Sequence, residues 1–317
     1  MLNNALNAFK AYSDEKVRDI TLLSGGHINN SFLVTGKDRY VLQCLNPHVF
    51  ADHLDVLEHN YMQYHKACEK KRRRIGKWCC PQWMLDRNGE FFFSDEEKKI
   101  WRLYRYIQSE TVNAHLTPEE IFETGKGLGK LHFILKDCDI RPMPKTEALY
   151  DLFSHYKKYR AQNGSKMDRI GSFDTLIDES IEEMLTIYVP KNGNIHGDAK
   201  VSNMLFEKGK VIGFVDLDTM MPGSSFDDIA DCVRSCCIGK NGCFEYDRIA
   251  LLKKGYEKGS KTSFTDEASR LLDRNIVRNR FMLGLRYYTD YLSQEGYFKE
   301  EHPGQSLERA HELFGNV

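Results

Sequence analysis

The 317-residue sequence lacks long apolar runs and has almost no excess of either charge. No window approaches the length of a membrane span, and the N-terminus has neither the basic nor the apolar segment of a signal peptide. The 45 basic and 46 acidic residues nearly cancel, so no global charge attracts nucleic acid or an anionic membrane. We expect a cytoplasmic protein with neither kind of partner. The sequence leaves the oligomeric state open.

The cysteines lack the spacing of a zinc site or of a disulfide framework. There are nine, an odd number, with adjacent pairs at Cys79-Cys80 and Cys236-Cys237 and no CxxC motif. We therefore expect reduced thiols that are mostly buried.

The first hundred residues contain short apolar runs that predict β-strands. Helical spacing begins at Asp52 or Asp55 and continues to about Lys71. The predicted strands are 20–23, 31–34, 40–45, 91–93 and 100–104. We predict a small antiparallel sheet that carries one helix.

The chain changes character after Thr111, where helical patterns dominate. Thr117-Pro118-Glu119-Glu120 has the pattern of a helix start, with a capping hydroxyl, a proline and two acids. Further helical spacing covers 149–161, 173–188, 225–237, 245–258, 264–283 and 284–294. The sequence predicts an α+β protein with a small N-terminal sheet lobe over 1–107 and a mostly helical C-terminal lobe over 108–317.

The segment from His196 to Asp218 carries the clearest chemical signal. Asp198 is followed by Lys200 and Asn203, and an apolar strand then leads to Asp216. Protein kinases space a catalytic Asp and a metal-binding Asn in the same way and place a second metal-binding Asp further along. An HGD tripeptide alone is common in loops, but the complete set favours phosphoryl transfer.

These residue types suit the charge that builds up on a transferring γ-phosphoryl group. Asp198 would accept the proton of the attacking hydroxyl, and Lys200 would lie against the γ-phosphate. Asn203 and Asp216 offer the oxygen ligands that Mg²⁺ prefers. We expect Asp216 to be the main ligand and Asp218 to be a second ligand or a group near the acceptor.

Three further segments are candidates for nucleotide contacts. Gly25 and Gly26 lie in a turn whose backbone N–H groups could bind phosphate, although a Gly-Gly hairpin turn is also common. Gln43 occupies the strand position where protein kinases carry a phosphate-binding Lys. Tyr106 and Ile107 end the segment expected to approach the adenine.

Several ordered segments resemble the aminoglycoside phosphotransferase and choline kinase superfamily, and within it the N-acetylhexosamine 1-kinase group. These segments are SGGHINNSF at 24–32, YVLQCLN at 40–46, VDLDTMMPG at 215–223, LRYYTDYL at 285–292 and GYFK at 296–299. The catalytic loop differs from the group's usual H-N-D-T-K, because Gly197 and Ala199 flank Asp198.

The resemblance implies a bilobal protein-kinase-like fold, ATP and Mg²⁺ as cofactors, and an amino sugar as acceptor. Phosphate would be transferred to the anomeric hydroxyl of an N-acetylhexosamine. His27, Arg286 and Tyr297 would contact the sugar, although a helix rich in Tyr and Leu is more often core than binding surface. The resemblance also assigns Asp228 a structural role in bracing the catalytic loop.

Two alternatives stay open at this point. An aminoglycoside, choline, homoserine or other amino-alcohol kinase would use the same catalytic set, with acids in the C-terminal tail to bind a cation. The tail offers Asp290, Glu295, Glu300 and Glu301. The second alternative is a nucleotide-binding pseudokinase, and its support is Gln43 alone.

Overall fold

The computed structural model describes residues 2–23, 29–110, 116–162 and 171–315. Within them the chain divides into two compact units. The first unit comprises 1–62 and 79–109, and the second comprises 63–78 and 110–317. In the described part of the chain, no helix is long and apolar enough to cross a membrane.

The first unit is built on an antiparallel sheet, as the sequence predicts. Its strands are β1 (Asp19–Leu22), β2 (Asn30–Thr35), β3 (Arg39–Leu45), β4 (Trp83–Met84), β5 (Phe93–Ser94) and β6 (Ile100–Arg105). The strand order is β1-β2-β3-β6-β4, with β5 also paired to β6. Its helices are α1 (Leu2–Tyr12), the short α2 (Pro47–Phe50) and the start of α3 (Leu54–Ile75), which continues into residues of the second unit.

Helix α1 covers one face of this sheet and was not predicted. Its buried side chains Ala5, Ala8, Phe9 and Tyr12 recur at helical spacing and pack against alternate residues of β2, β3 and β6. The Tyr12 hydroxyl donates to the Trp101 carbonyl oxygen at 2.7 Å. The sheet therefore carries two substantial helices rather than one.

The second unit is mostly helical, which confirms the predicted α+β class. Its further helices are α4 (Pro118–Leu135), α5 (Pro144–Glu147), α6 (Leu152–Ala161), α7 (Gly171–Thr186), α8 (Ser225–Cys236), α9 (Tyr246–Ser260), α10 (Asp266–Ser293) and α11 (Gln305–Phe314). Two antiparallel pairs accompany them, β7 (Gly193–Ile195) with β10 (Met221–Gly223) and β8 (Met204–Glu207) with β9 (Lys210–Phe214).

The start of α4 has the capping arrangement that the sequence predicts. The Thr117 hydroxyl accepts from the Glu120 backbone N–H at 3.2 Å, and the Glu120 carboxylate accepts from the Thr117 N–H at 2.8 Å. Pro118 occupies the first turn, where its missing N–H costs nothing.

Helix α10 corrects the prediction of two helices, 264–283 and 284–294. The helix runs without interruption from Asp266 to Ser293, and Gly284 lies inside it. A Cβ at Gly284 would lie 2.9 Å from the Phe314 ring. The glycine therefore makes room for α11, itself not predicted, instead of ending a helix.

Helices α4 and α9 approach each other at backbone distance. Gly125 and Gly129 of α4 face Gly255 and Gly259 of α9. A Cβ at Gly125 would lie 2.0 Å from the Leu252 carbonyl oxygen, and one at Gly255 would lie 2.0 Å from the Phe122 carbonyl oxygen. This close approach brings side chains of the two helices within hydrogen-bonding distance one turn further on.

None of the nine cysteines, all of which lie in the described residues, belongs to a disulfide, in keeping with reduced thiols. The expectation that most are buried is wrong: Cys68, Cys232, Cys236 and Cys237 are buried, four others are half-buried and Cys243 is exposed.

Candidate active site

The predicted catalytic loop joins β7 to β8, and contacts with neighbouring residues hold its first two residues, His196 and Gly197, in place. The buried His196 ring contacts the Val215 carbonyl oxygen at 3.0 Å, and the Thr219 hydroxyl donates to the His196 carbonyl oxygen at 2.8 Å. Gly197 has φ of +83°, and a Cβ there would lie 2.4 Å from the Thr219 carbonyl oxygen. This contact explains why the loop carries glycine where the resembling group has asparagine.

The loop brings Asp198, Lys200 and Asn203 together. The Lys200 ammonium lies 2.8 Å from Asp198 Oδ2, and the Asn203 amide nitrogen donates to the same oxygen at 3.1 Å. Desolvation alone would raise the pKa of Asp198, but the Lys200 charge holds it below the usual value. Asp198 is therefore ionised at neutral pH and able to accept a proton.

Asp216 and Asp218 follow β9 in a constrained turn. Asp216 has φ of +60° and ψ of +49°, a left-handed conformation that costs free energy in a residue other than glycine. Asp218 is buried, whereas Asp216, taken as a whole residue, remains partly open to solvent although protein atoms surround its carboxyl group. The surrounding protein atoms, and then the carboxylates of Asp218 and Asp198, raise the pKa of Asp216.

The donor set of this turn and the loop suits a hard divalent cation. Asn203 directs its amide nitrogen at Asp198, which leaves its amide oxygen for another group. Among the described residues, no three His, Cys, Asp or Glu side chains form a metal cluster. One amide and one or two carboxylates are nevertheless what Mg²⁺ takes when phosphates and water complete its shell.

Helix α8 holds the loop from one side. Asp228 is fully buried, and its carboxylate accepts from the backbone N–H groups of His196 at 2.7 Å and Gly197 at 2.9 Å. The Ser235 hydroxyl accepts from the Val201 N–H at 3.0 Å. His132 of α4 lies 2.8 Å from Asp228 and 2.9 Å from the Tyr256 hydroxyl of α9. Asp228 thus has the bracing contacts that the sequence predicts for it.

Arg286 and Tyr297 lie together in the C-terminal part of the second unit. The Arg286 guanidinium lies 3.5 Å from the Tyr297 hydroxyl and 5.5 Å from the centre of the Phe298 ring. Tyr287 stacks on Phe298 at 3.9 Å between ring centres. Tyr297 is 52% exposed, so it belongs to the surface and not to the core.

The tail acids are mostly engaged by their own neighbours. Asp290 accepts from the backbone N–H groups of Tyr297 at 2.7 Å and Phe298 at 3.1 Å. Glu295 pairs with Lys158 at 2.6 Å, and Glu300 accepts from the Ser306 N–H at 2.7 Å. These three carboxylates stabilise the tail itself. Glu301 is exposed at the surface.

Gln43 of the first unit is buried beside a cation. Its amide oxygen accepts from Arg102 Nε at 2.9 Å and Nη2 at 2.6 Å, and its amide nitrogen donates to the Ser31 hydroxyl at 2.9 Å. Arg102 stands opposite Gln43 in the β3–β6 register and lies 4.7 Å from the Trp83 ring centre. The positive charge of Arg102, on the neighbouring strand β6, therefore lies beside Gln43, the position where protein kinases carry a Lys.

Tyr106 and Ile107 follow β6 directly, and both are half-buried. The Tyr106 N–H donates to the Arg39 carbonyl oxygen at 3.0 Å, and the Arg39 guanidinium lies 4.4 Å from its ring centre. Gly25, Gly26 and His27 lie outside the described residues.

Residues 19–259 match the family model of the phosphotransferase enzyme family. The chain belongs to this family. The prediction of an ATP-dependent phosphotransferase that acts on a hydroxyl group is thereby confirmed. The family match favours the enzyme over the pseudokinase alternative, which rested on Gln43.

Solved structures of kinases share the fold of this phosphotransferase. An amicoumacin kinase in complex with AMP-PNP, Ca²⁺ and Ami is 14% identical, with a TM-score of 0.68 over 99% of this chain and 92% of that one. The microcompartment-associated aminopropanol kinase is 13% identical (TM-score 0.65, covering 99% and 95%). The choline kinase LicA from Streptococcus pneumoniae is 13% identical (TM-score 0.62, covering 99% and 98%). The predicted kinase-like fold and superfamily are confirmed, and the N-acetylhexosamine subgroup is not.

Sequence reasoning missed several residues that hold the phosphotransferase loop and strands. His132, Ser235 and Arg102 form their contacts with residues far away in the chain. Arg102 alone had a usable signal, because pairing the predicted strands 40–45 and 100–104 places it opposite Gln43.

Proposed function

We propose that this phosphotransferase is a small-molecule kinase that transfers the γ-phosphate of ATP to the anomeric hydroxyl of an N-acetylhexosamine. The proposal is carried by the Asp198, Lys200 and Asn203 arrangement, in which an ionised carboxylate is held by a cation and an amide. The sugar assignment is supported by the ordered motif resemblance and by the paired, surface-lying Arg286 and Tyr297.

In the proposed mechanism, Asp198 Oδ accepts the proton of the attacking hydroxyl as the new oxygen–phosphorus bond forms. The bond from the γ-phosphorus to the bridging oxygen breaks, and ADP leaves with that electron pair. Lys200 stabilises the negative charge on the transferring group. Asn203 and Asp216, with Asp218, would hold Mg²⁺, which neutralises phosphate charge when bound.

The nucleotide contacts remain proposals. We assign the phosphates to Gly25 and Gly26 and the adenine edge to Tyr106 and Ile107. Gln43 would take the place of the usual strand Lys, with Arg102 supplying the charge that Gln43 lacks. His27, Arg286 and Tyr297 are assigned to the sugar.

An amino-alcohol or aminoglycoside kinase is the alternative, and the tail argues against it. A cationic acceptor needs a carboxylate whose charge is not already used. Asp290, Glu295 and Glu300 are satisfied by backbone N–H groups or by a lysine. Three of the four tail acids are thus engaged, which favours an uncharged acceptor, and Glu301 is the exposed acid left for a cation.

The test is ATP consumption with Mg²⁺ across N-acetylglucosamine, N-acetylgalactosamine, neutral hexoses, choline, homoserine and an aminoglycoside, with phosphorus NMR of each product. We expect turnover confined to N-acetylhexosamines and phosphate on C1. Asp198→Asn should lower kcat by about 10²–10⁴-fold with little change in KM for ATP, whereas Asp247→Asn, at an exposed position of α9, should leave kcat unchanged. Turnover of choline or an aminoglycoside alone would reject the sugar assignment.

A further inference from the structure

Helix α8 carries a second pair of polar residues, Asp231 and Arg234, besides Asp228 and Ser235, which brace the catalytic loop. Asp228 binds the N–H groups of His196 and Gly197, and Ser235, seven positions later, binds that of Val201. Positions i, i+3 and i+7 share one helix face. Asp231 therefore lies on the face turned towards the loop, between the two bracing contacts.

Both carboxylate oxygens of Asp231 are already paired. Arg234 Nη2 lies 3.2 Å from Oδ1, and the Tyr150 hydroxyl donates to Oδ2 at 2.6 Å. Arg278 holds Tyr150 in turn, through a 3.2 Å hydrogen bond to its carbonyl oxygen. Asp231 therefore has no unused negative charge to offer a ligand.

Arg234 keeps donors to spare. Its side chain is 22% exposed and its Nη2 pairs with Asp231. Its Nε has no hydrogen-bond partner among the described residues but is buried, so the donors that a ligand could reach are those of the two Nη groups. Burial would lower the pKa of Arg234, but the carboxylates of Asp231 and Asp198 outweigh that effect and raise it. A charged guanidinium with free N–H groups therefore stands within electrostatic reach of the candidate base.

The surface beside Arg234 leads to the predicted sugar contacts. Helix α8 packs on α10, and the Tyr287 phenol adds to the electrostatic field at Arg234. Tyr287 stacks on Phe298, and the Arg286 guanidinium lies against the same Phe298 ring. Electrostatic interactions thus link Asp198 and Tyr287 to Arg234, and ring contacts continue from Tyr287 through Phe298 to Arg286.

We propose that Arg234, held by Asp231 and Tyr150, determines acceptor specificity by binding oxygen atoms of an uncharged polyhydroxylated acceptor and repelling a cationic one. This inference rests on the proposed sugar kinase function. Guanidinium donors bind hydroxyl or carbonyl oxygens, whereas an ammonium group on the acceptor meets a like charge at Arg234, whose partner Asp231 has both carboxylate oxygens engaged. Selectivity here arises from repulsion as much as from attraction.

The test compares N-acetylglucosamine with glucosamine, a matched pair in which removing the acetyl group creates a cation. In Arg234→Gln we expect KM for N-acetylglucosamine to rise about 10-fold, as for one lost charged hydrogen bond. The kcat/KM ratio of glucosamine to N-acetylglucosamine should rise at least as much. KM for ATP should stay at the wild-type level, since Arg234 is assigned to the acceptor and not to the nucleotide.

Two variants separate specificity from folding. Arg234→Lys retains the charge and should keep the wild-type preference for the uncharged sugar. The double variant Asp231→Asn with Arg234→Gln removes both charges together, leaves no unpaired carboxylate, and should show the same shift in ratio as Arg234→Gln. The exposed Arg309→Gln serves as the control, with an unchanged ratio.

The outcomes distinguish this inference from the proposed function. Wild-type turnover of N-acetylglucosamine, with an equal loss for both acceptors in Arg234→Gln, would overturn the inference and leave the sugar kinase standing. Wild-type turnover of glucosamine or choline in preference to N-acetylglucosamine would overturn both.

Discussion

At the residue scale, Lys200 is the neighbour that does most to lower the pKa of the candidate base against the effect of burial. Lys200 lies 2.8 Å from Asp198 and lowers its pKa, so the carboxylate stays ionised into acidic solution. Removing the ammonium in Lys200→Met should raise that pKa. The acidic limb of the kcat/KM profile should then move to higher pH, as measured by initial rates between pH 5 and 9. Lys254→Met, on α9, should not move it.

Lys200 also contributes a charge to the transferring phosphate in the proposed mechanism. Lys200→Met should therefore lower kcat at every pH, by about 10–100-fold at the optimum. A profile of unchanged shape would mean that Lys200 does not set the ionisation of the base.

A second carboxylate affects stability rather than chemistry. Burial raises the pKa of Asp227 to about 7, despite a hydrogen bond from Asn275 at 3.1 Å. The folded state thus binds a proton that the unfolded state releases near its ordinary pKa. Stability should fall by up to about 1.4 kcal/mol per pH unit as pH rises towards 7.

Asp227→Asn removes this dependence because the amide cannot ionise. The variant should gain stability relative to the wild type at pH 8 and much less at pH 5, as measured by urea denaturation. Asp247→Asn, an exposed acid of α9, should show no such difference between the two pH values. An equal effect of Asp227→Asn at both pH values would contradict the raised pKa.

At the scale of elements, the α4–α9 crossing depends on glycine. A Cβ at Gly255 would lie 2.0 Å from the Phe122 carbonyl oxygen, and backbone cannot move aside as a side chain can. Gly255→Ala should cost about 1–3 kcal/mol of unfolding free energy. It should also lower kcat, because His132 and Tyr256 from these helices contact each other beside Asp228.

Gly193→Ala is the matched control, since a Cβ there meets no atom within 4 Å. Denaturation curves and kcat of both variants give the comparison. Equal stabilities would show that the helices can separate at little cost.

Elements were predicted where the signal is local, and missed where it is not. The capping box of α4 lies within four consecutive residues, and the strands are short apolar runs, so both could be predicted from the sequence. Residues 264–283 and 284–294 were predicted as separate helical segments, because the contact that requires glycine at 284, with Phe314 thirty residues later, is invisible in the sequence. Helix α1 shows a detectable apolar period at Ala5, Ala8, Phe9 and Tyr12 that the strand-rich interpretation overlooked.

At the scale of the whole molecule, the difference between local and distant signals also applies to the candidate active site. Asp198, Lys200 and Asn203 lie within six residues, so their joint presence was predictable from spacing alone. Tyr150 and Asp231 are separated by 81 residues, and His132 and Asp228 by 96, so only the fold brings them together. The sequence therefore could not predict the contacts between distant residues that hold the catalytic loop and Asp231 in place.

The thermal stability of the whole protein should show whether Asp216 or Asp218 is the main ligand of the metal. A ligand that binds the native state alone stabilises it by RT ln(1 + L/Kd), where L is the free ligand concentration, so Mg²⁺ with ATP should raise Tm. Asp216→Asn should abolish most of this rise, and Asp218→Asn should remove less. Mn²⁺ binding in the presence of ATP, followed by electron paramagnetic resonance, gives the same ranking without turnover. The reverse order would make Asp218 the main ligand.

The glycine contact between α4 and α9 also bears on how the protein is made. Helix α4 ends at Leu135 and its partner α9 ends at Ser260, with the catalytic loop encoded between them. During synthesis from the N-terminus, α4 must wait for α9 to leave the ribosome before its glycine face is covered. Contacts so distant in sequence form slowly. The nascent chain therefore acquires its catalytic geometry late, after all of the residues of the catalytic loop have been translated.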